Sequence, residues 1–192
     1  CKYAYEKNNK STFYNQDIKT VTKEQISSLF KGYDIKVLAG CAPCQPFSSY
    51  AFKVKDKDKN KYDLLYEFGR IVEEVLPDIV TMENVAQILS FKQKPVLSDF
   101  VNLLERNQYH VDFKIVYCPD YGIPQTRKRI VLLASRLGEI NLIPSTHKKK
   151  NYKTVRQTIG KLPPIEAGEI CPTDPLHRAR SLSGLNLERI RA

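Results

Sequence analysis

The sequence predicts an α/β protein with a doubly wound and largely parallel sheet. Short apolar runs alternate with helix-patterned segments of roughly 10 to 15 residues over the first two thirds of the 192-residue chain, which is the order of βαβ units. Hydrophobic residues make up 42% and charged residues 27%, so the chain can build a core. The longest uninterrupted apolar run, residues 130–134, is far shorter than the roughly 18 residues of a membrane span, and this excludes a transmembrane protein.

Five segments have the composition of strands and three have the periodicity of helices. The predicted strands are residues 2–5, 34–39, 79–82, 110–117 and 130–134. The predicted helices are residues 22–30, 63–76 and 95–107. The first helix begins with the capping-box spacing of Thr22 and Gln25. The second has an apolar face made of Leu64, Phe68, Ile71, Val72 and Val75.

Prolines become frequent after residue 143. This change divides the chain into residues 1–143, which hold the α/β pattern, and residues 144–192, which we interpret as a linker leading into a second unit. A short helix is possible within that second part, at residues 186–191. The chain begins with Cys1 rather than Met, and we therefore expect it to be part of something longer.

Charge and cysteine content narrow the class of partner and the compartment. Lys and Arg total 31 against 21 Asp and Glu, a formal charge of +10, which favours nucleic acid first and anionic lipid second. A basic protein without such a partner is the alternative. Five cysteines are an odd number, which fits reduced cytoplasmic thiols better than a disulfide framework.

Residues 39–48 follow a predicted strand, so they lie at the carboxyl edge of the sheet, where open α/β folds bind ligands. Cys44 stands between Pro43 and Pro46, which stiffen the backbone and can hold its sulfur in one direction as a nucleophile. Two alternatives remain: a small core residue, or a redox or half-zinc pair with Cys41. No second ligand pair follows at zinc spacing, and we predict no metal.

Glu83 also follows an apolar strand directly, where a partly desolvated carboxylate can hold a proton near neutrality for acid catalysis. The alternative is a helix cap formed by Asn84. If the later segment before residue 130 is extended, Gln125, Arg127 and Arg129 project from one side, and this arrangement suits an anionic group or a base edge.

A lysine-rich stretch follows the cysteine segment. Lysines alternate there at positions 53, 55, 57, 59 and 61, with little apolar content between them. Considered alone, this composition predicts a surface loop. Its place beside a nucleophile also suits a lid that contacts phosphates.

Three of these motifs occur together and in order: Pro43-Cys44-Gln45, Glu83-Asn84-Val85 and Gln125-x-Arg127-x-Arg129. With them the chain resembles the DNA (cytosine-5)-methyltransferase family over its whole length. The resemblance implies a Rossmann-like S-adenosylmethionine-dependent methyltransferase fold. It also implies that residues 1–143 are a partial catalytic domain and that residues 144–192 lead into the target-recognition region.

The resemblance implies a set of roles as well. Cys44 would attack C6 of a flipped cytosine, Glu83 would contact N3 and the exocyclic amine, Arg129 would hold the base oxygen, and Arg127 would lie near the sulfur. The implied S-adenosylmethionine site is Glu6 at the ribose, Asp17 and Ile18 at the adenine, and Pro43 and Leu64 along the pocket. The implied contacts to duplex DNA are Gln45, Ser48, Lys53, Lys55 and Gln125.

The sequence departs from the family pattern in its glycines and its ends. No two glycines are close enough to form the family's glycine-rich cofactor loop, and the first strand, the late Asn motif and most of the target-recognition region have no counterpart. We therefore expect a fold that is incomplete at both ends, and an isolated chain that binds the cofactor poorly and does not methylate DNA. A second polypeptide is one possible source of the missing parts.

Three other functions remain open. An RNA cytosine-5 methyltransferase of the same family would share the three motifs. An inactive DNA-binding remnant would keep the positive charge without turnover. A thiol oxidoreductase would use both Cys41 and Cys44, whereas the methyltransferase interpretation needs only Cys44. Among these, we favour methylation of DNA within a restriction–modification system.

Overall fold

The computed structural model describes residues 2–43, 63–90 and 95–192. The α-helices in these ranges are α1 (Lys2–Asn9), α2 (Lys23–Leu29), α3 (Asp63–Val75), α4 (Val96–Arg106), α5 (Val155–Ile159) and α6 (Gly184–Arg191). The strands are β1 (Val37–Gly40), β2 (Ile79–Val85), β3 (His110–Tyr117), β4 (Lys128–Ser135), β5 (Ile170–Cys171) and β6 (Asp174–Arg178). Short 3₁₀ helices span Ile18–Thr20, Ala86–Ser90, Cys118–Tyr121 and Lys149–Asn151.

The main sheet has four strands in the order β1-β2-β4-β3, which confirms the α/β class. The sheet is mixed: β1 and β2 are parallel, whereas β4 is antiparallel to both β2 and β3. Three of the four strands point in one direction, as predicted, and β4 alone among them runs the opposite way. The reason lies in residues 118–127, which join β3 to β4 and are fewer than the roughly dozen residues that a parallel crossover needs.

The core lies between this sheet and helices α3 and α4. Buried side chains from the helices include Leu65, Phe68, Val72, Phe100 and Leu104. The Phe68 and Phe100 rings pack with their centroids 5.6 Å apart. The buried apolar side chains of the central strands are Val80, Met82, Ile130, Leu132 and Ala134, which alternate along β2 and β4 as a half-buried strand requires.

The predicted apolar face of α3 is confirmed in the middle of the helix, whereas Val75 in its last turn is half-buried. Phe68, Ile71 and Val72 are buried as expected. Leu65 takes the buried position near the helix start with 1% exposure, and Leu64 is half-buried. The capping box of α2 is confirmed, since Thr22 Oγ1 accepts the Gln25 backbone N–H at 3.3 Å and the Gln25 side chain accepts the Thr22 N–H at 2.9 Å.

The predicted strand at residues 2–5 is wrong, because these residues belong to α1. A strand needs a neighbour for its backbone donors and acceptors, and the β1–β6 pairings place no strand beside this segment in the described part of the chain. A helix satisfies those groups within the segment. Lys, Ala and Glu in its sequence favour that outcome.

The segment after β4 lies against β3 and the 3₁₀ helix that follows it. The Leu142 N–H donates to Asp112 Oδ2 at 2.8 Å, and Tyr121 donates its hydroxyl to the Ile143 carbonyl at 3.0 Å. Thr146 and His147 both donate their backbone N–H groups to the Asp120 carbonyl at 2.9 Å. Farther on, β5 and β6 form a separate two-stranded sheet, and α6 agrees with the helix predicted at residues 186–191. In the described ranges, no helix is both long and apolar enough to cross a bilayer.

Candidate active site

A carboxylate and two guanidiniums meet near the carboxyl end of β2. Glu83 Oε1 forms ion pairs with Arg129 Nε at 3.0 Å and with Arg127 Nη2 at 3.7 Å. The backbone explains the first contact: Arg129 pairs with Val85 across β2 and β4, which places it diagonally beside Glu83 on the antiparallel ladder. The side chain of Glu83 is 39% exposed, so the cluster opens to the surface.

The first residue after β1 reaches the same carboxylate. Cys41 donates its thiol to Glu83 Oε2 at 3.3 Å. The parallel register pairs Gly40 with Met82, and the next position on each strand therefore brings Cys41 beside Glu83. Both carboxylate oxygens are engaged: Oε1 by the two arginines and Oε2 by Cys41.

Arg127 reaches Glu83 through turns rather than through an extended strand. The Gln125 N–H donates to the Ile123 carbonyl and the Arg127 N–H to the Gln125 carbonyl, both at 2.8 Å. Hydrogen bonds between residues two apart mark γ-type turns. The Arg127 carbonyl then accepts the Cys118 N–H at 2.9 Å, and this bond fixes the segment just before β4 begins. Gln125 itself is exposed.

Asn84 ties β2 to the backbone that leads toward Cys44. It is 1% exposed, donates its Nδ2 to the Ala42 carbonyl at 3.2 Å, and accepts the Val85 N–H at 2.8 Å. The cap that the sequence allowed for Asn84 is therefore wrong, because its side chain bridges two strand ends. Sequence reasoning missed this role and the Cys41 contact. Aligning the ends of the two apolar strand segments would have indicated both, since parallel neighbours end at one edge.

The five predicted site residues in the segment after Pro43 lie outside the described residues. These are Cys44, Gln45, Ser48, Lys53 and Lys55, and the lysine-rich stretch belongs to the same segment. Pro43 is described and exposed, one residue beyond the carbonyl that Asn84 holds. Within the described ranges, no group of three or more His, Cys, Asp or Glu side chains could hold a metal ion.

The predicted cofactor residues lie on three separate elements. Glu6 is on α1, not after a strand as predicted, and its carboxylate accepts the Phe13 N–H at 3.1 Å. Asp17 caps the Ile18–Thr20 turn by accepting the Lys19 N–H at 3.0 Å. Ile18 is partly buried against the core, and Leu64 is half-buried in the first turn of α3. Hydrogen bonds join the Ile18 turn to α3, whereas Glu6 accepts from the Phe13 and Lys10 N–H groups of its own N-terminal segment.

These observations define a class: an α/β protein whose acid–arginine cluster lies where the parallel strands β1 and β2 end, the usual position of ligand sites in open α/β sheets. The family model for C-5 cytosine-specific DNA methylase matches residues 1–177. The chain belongs to this family, which confirms the resemblance found in the three sequence motifs.

Individual relatives agree with this assignment. The chain is 44% identical to the type II methylase M.HgiDII of Herpetosiphon aurantiacus over 190 residues, covering 99% of this chain and 53% of the relative. It is 32% identical to the type II methyltransferase M1.HphI of Haemophilus parahaemolyticus, covering 80% and 41%. The chain thus spans about half the length of these curated relatives.

Solved structures show the same fold. A prophage-encoded protein of E. coli matches with a TM-score of 0.66 and 26% identity, covering 84% of this chain and 45% of that one. The Entamoeba histolytica methyltransferase EhMeth matches with a TM-score of 0.57 and 26% identity, covering 77% and 46%. The mixed α/β arrangement described above is therefore a methyltransferase fold.

Proposed function

We propose that this chain supplies the cytosine-binding half of an enzyme that transfers a methyl group from S-adenosylmethionine to C5 of cytosine in duplex DNA. The observation that carries the proposal is the shared carboxylate: Glu83 forms an ion pair with Arg129 at 3.0 Å and accepts the thiol of Cys41, three residues before Cys44, at 3.3 Å. An acid, two guanidiniums and a cysteine segment at one sheet edge are the groups that this chemistry needs.

Each residue then has a role at the base. The enzyme flips the cytosine out of the duplex at a cost of a few kcal/mol. The Cys44 sulfur adds to C6, and the new S–C6 bond moves electron density to C5. Glu83 contacts N3 and the exocyclic amine, Arg129 holds the base oxygen, and Arg127 lies near the sulfur and favours the thiolate. After methylation a base removes the C5 proton, and the S–C6 bond breaks to release Cys44.

S-adenosylmethionine supplies the methyl group when it is bound. The residues that fit its adenine are the Asp17 carboxylate, which can accept from an exocyclic amine, and the apolar Ile18 beside it. Leu64 and Pro43 would complete the pocket. We expect Glu6 to reach the ribose only if α1 moves or reorganises, because its carboxylate is engaged by the Phe13 N–H.

The type II names of the relatives support a place in a restriction–modification system, with duplex DNA as substrate. The excess of basic over acidic residues suits the phosphate backbone. The family's glycine-rich loop has no counterpart in this sequence. We therefore propose that cofactor binding needs that loop, supplied by other parts of the protein or by a second polypeptide.

Covalent trapping tests the proposal. The enzyme in a form that includes the glycine-rich loop is incubated with S-adenosylmethionine and duplex DNA that carries 5-fluorocytosine. Fluorine at C5 cannot leave as a proton does, so the adduct persists and is seen as a shifted band on a denaturing gel. We expect the adduct in the wild type and in Cys118→Ala, a control at a half-buried free thiol, and its loss in Cys44→Ala.

The same assay separates the alternatives. An adduct that survives Cys44→Ala excludes this nucleophile. Trapping on a fluorinated RNA in place of DNA would favour the RNA enzyme. DNA binding without any adduct would indicate an inactive remnant. Disulfide reduction that needs both Cys41 and Cys44 would indicate an oxidoreductase.

A further inference from the structure

Arg70 on α3 has a fully engaged guanidinium outside the Glu83 cluster. Its Nε donates to Glu67 at 2.8 Å, and its Nη1 donates to both carboxylate oxygens of Glu74 at 3.0 Å. Its Nη2 donates to the backbone carbonyls of Ile18 at 3.1 Å and Val21 at 3.2 Å. These five bonds equal the number of N–H donors that a guanidinium carries.

The two groups of bonds have different consequences. Glu67 and Glu74 lie on α3 at helical spacing from Arg70, so they fix the guanidinium and raise the pKa of Arg70, with Glu67 the larger cause. The bonds to Ile18 and Val21 leave the helix and hold the two ends of the 3₁₀ turn that follows Asp17. Arg70 therefore connects a rigid helix to a short turn.

A three-residue 3₁₀ turn has little stability of its own. Here its internal bonds are Thr20 N–H to the Asp17 carbonyl at 2.9 Å and Val21 N–H to the Ile18 carbonyl at 3.2 Å. The Asp17 carboxylate caps the turn by accepting the Lys19 N–H, and the Gln16 side-chain amide donates to the Thr20 carbonyl at 2.9 Å. Among the described contacts, those from Arg70 tie the turn's backbone to the packed body of the protein.

We propose that Arg70 is a positioning residue for the adenine end of the cofactor site: it sets the distance and orientation of Asp17 and Ile18 relative to Leu64 on α3. This inference rests on the proposed function, which places adenine against Asp17 and Ile18. The turn orders before the cofactor arrives, so binding does not have to supply the entropy of ordering it.

This role requires the forked guanidinium of an arginine, whose separate nitrogens can bond to the helix and to the turn at the same time. The two Nη2 bonds point to carbonyls at different ends of the turn while the Nε and Nη1 bonds stay on the helix. A lysine ammonium has three donors on one atom and cannot span both groups. Arg70→Lys therefore keeps the charge and loses part of the connection.

The first test needs no catalysis. Hydrogen–deuterium exchange of this chain compares the wild type with Arg70→Gln and Arg70→Lys. The matched control is Arg106→Gln, since Arg106 on α4 pairs with Glu73 on α3 at 3.9 Å and is 71% exposed. We expect the Thr20 and Val21 amides to exchange about tenfold faster in Arg70→Gln and at the wild-type rate in Arg106→Gln. Unchanged exchange at both amides in Arg70→Gln overturns the inference.

The second test measures the cofactor site in the enzyme form that includes the glycine-rich loop. We expect the KM for S-adenosylmethionine to rise about tenfold in Arg70→Gln while kcat at saturating cofactor stays at the wild-type value, with Arg70→Lys between the two. Adenosine, used as a competitor, loses affinity by the same factor because it keeps the adenine end. A general loss of stability would instead lower kcat through the folded fraction.

The outcomes distinguish this inference from the proposed function. Wild-type enzyme that binds the cofactor, with an equal KM in Arg70→Gln, overturns the inference and leaves the function standing. Wild-type enzyme that binds neither S-adenosylmethionine nor adenosine overturns the proposed function, and the adenine role of Arg70 with it. If Arg70→Gln does not fold, Arg70→Lys carries both tests, with smaller changes expected in the same direction.

Discussion

Glu83 on β2 and Arg129 on β4 form an ion pair at 3.0 Å, and the pairing of their strands places them side by side. Arg129 also donates its Nη1 to the Lys128 carbonyl at 2.8 Å, so its guanidinium is held from two directions. A pair fixed in this way presents a carboxylate and a guanidinium at a constant separation. In the proposed reaction these two groups contact neighbouring positions of the same pyrimidine.

Arg129→Gln should lower the rate of methyl transfer by about a hundredfold or more, because removing a donor aimed at developing charge usually costs that much. Arg129→Lys should recover little, since an ammonium cannot keep both the ion pair with Glu83 and the Nη1 hydrogen bond to the Lys128 carbonyl. Steady-state kinetics with tritiated cofactor measures both. The control is Arg136→Gln, at an exposed arginine beyond the other end of the β2–β4 pairing. A rate near wild type for Arg129→Gln would contradict its contact with the base.

Cys41→Ser and Cys41→Ala should differ, because Cys41 donates to Glu83 Oε2. The serine hydroxyl keeps a donor at this position, so we expect near wild-type activity. Alanine leaves the oxygen without that donor and should reduce the rate roughly threefold to tenfold. Equal rates of methyl transfer for the two variants would show that the contact is unimportant. Disulfide reduction that is lost in both variants would favour the two-cysteine oxidoreductase.

Asn84→Ala should lower the free energy of unfolding by about 1–3 kcal/mol. The change leaves the Ala42 carbonyl without the buried Nδ2 donor and the Val85 N–H without its side-chain acceptor. Urea denaturation measures the difference. Asn102→Ala, at an exposed position of α4, should leave stability within about 0.5 kcal/mol. If the two variants were equally stable, the bridge between strand ends would have no energetic role.

Gly40→Ala should also destabilise the protein, by about 1–3 kcal/mol. A Cβ at Gly40 would lie 2.5 Å from the Cζ of Phe68, which is buried between α3 and the sheet. Gly184→Ala is the control, because its Cβ meets no atom within 4 Å. Adding Phe68→Leu to Gly40→Ala should then cost less than the sum of the two single changes. Thermal unfolding of all four variants decides whether the two sites are coupled.

Stability should fall as the pH rises from about 10 to about 12, in part through Tyr109. Burial, with a smaller contribution from Asp78, raises the pKa of Tyr109 from 10.0 to about 12, against the opposing effect of Arg136. The folded state then holds a proton that the unfolded state has lost, so the contribution is complete below pH 10 and declines as the pH approaches 12. The loss should reach up to about 3 kcal/mol.

Tyr109→Phe isolates this contribution, because Tyr66 and Tyr152 also have a pKa raised to about 12. The variant should be less stable at neutral pH, where the bond from the Tyr109 hydroxyl to the Pro77 carbonyl is lost. Its stability should decline less steeply between pH 10 and 12. Urea midpoints measured across that range test the difference, and parallel pH curves would argue against it.

The sequence predicted the elements that carry their own pattern. The apolar face of α3 follows from side-chain periodicity, and the position of Glu83 directly after an apolar run places it near the carboxyl edge of the sheet. The strand predicted at residues 2–5 is wrong because a strand depends on a pairing partner as well as on its own composition. The opposite direction of β4 could not be read from its own pattern, since pairing depends on the connection that precedes it.

The site residues that were missed depend on two segments at once. Asn84 looks like a helix cap when only the residues after it are considered. Its side-chain amide instead donates to the carbonyl of Ala42, which lies just after β1. Cys41 became relevant once the β1–β2 register was known. Arg70 is a surface arginine in the pattern of α3, and its contact with the Ile18 turn is a matter of tertiary packing.

The position of β1 has a practical consequence. It is the first strand in the sheet order, it pairs with β2 alone among the described strands, and Val37 on it is 51% exposed. Such an edge offers a row of backbone donors and acceptors beside apolar surface, which is a template for recruiting another extended peptide. Samples of this chain should therefore self-associate as concentration rises, and a short peptide added in trans that extends the sheet there should keep them dispersed.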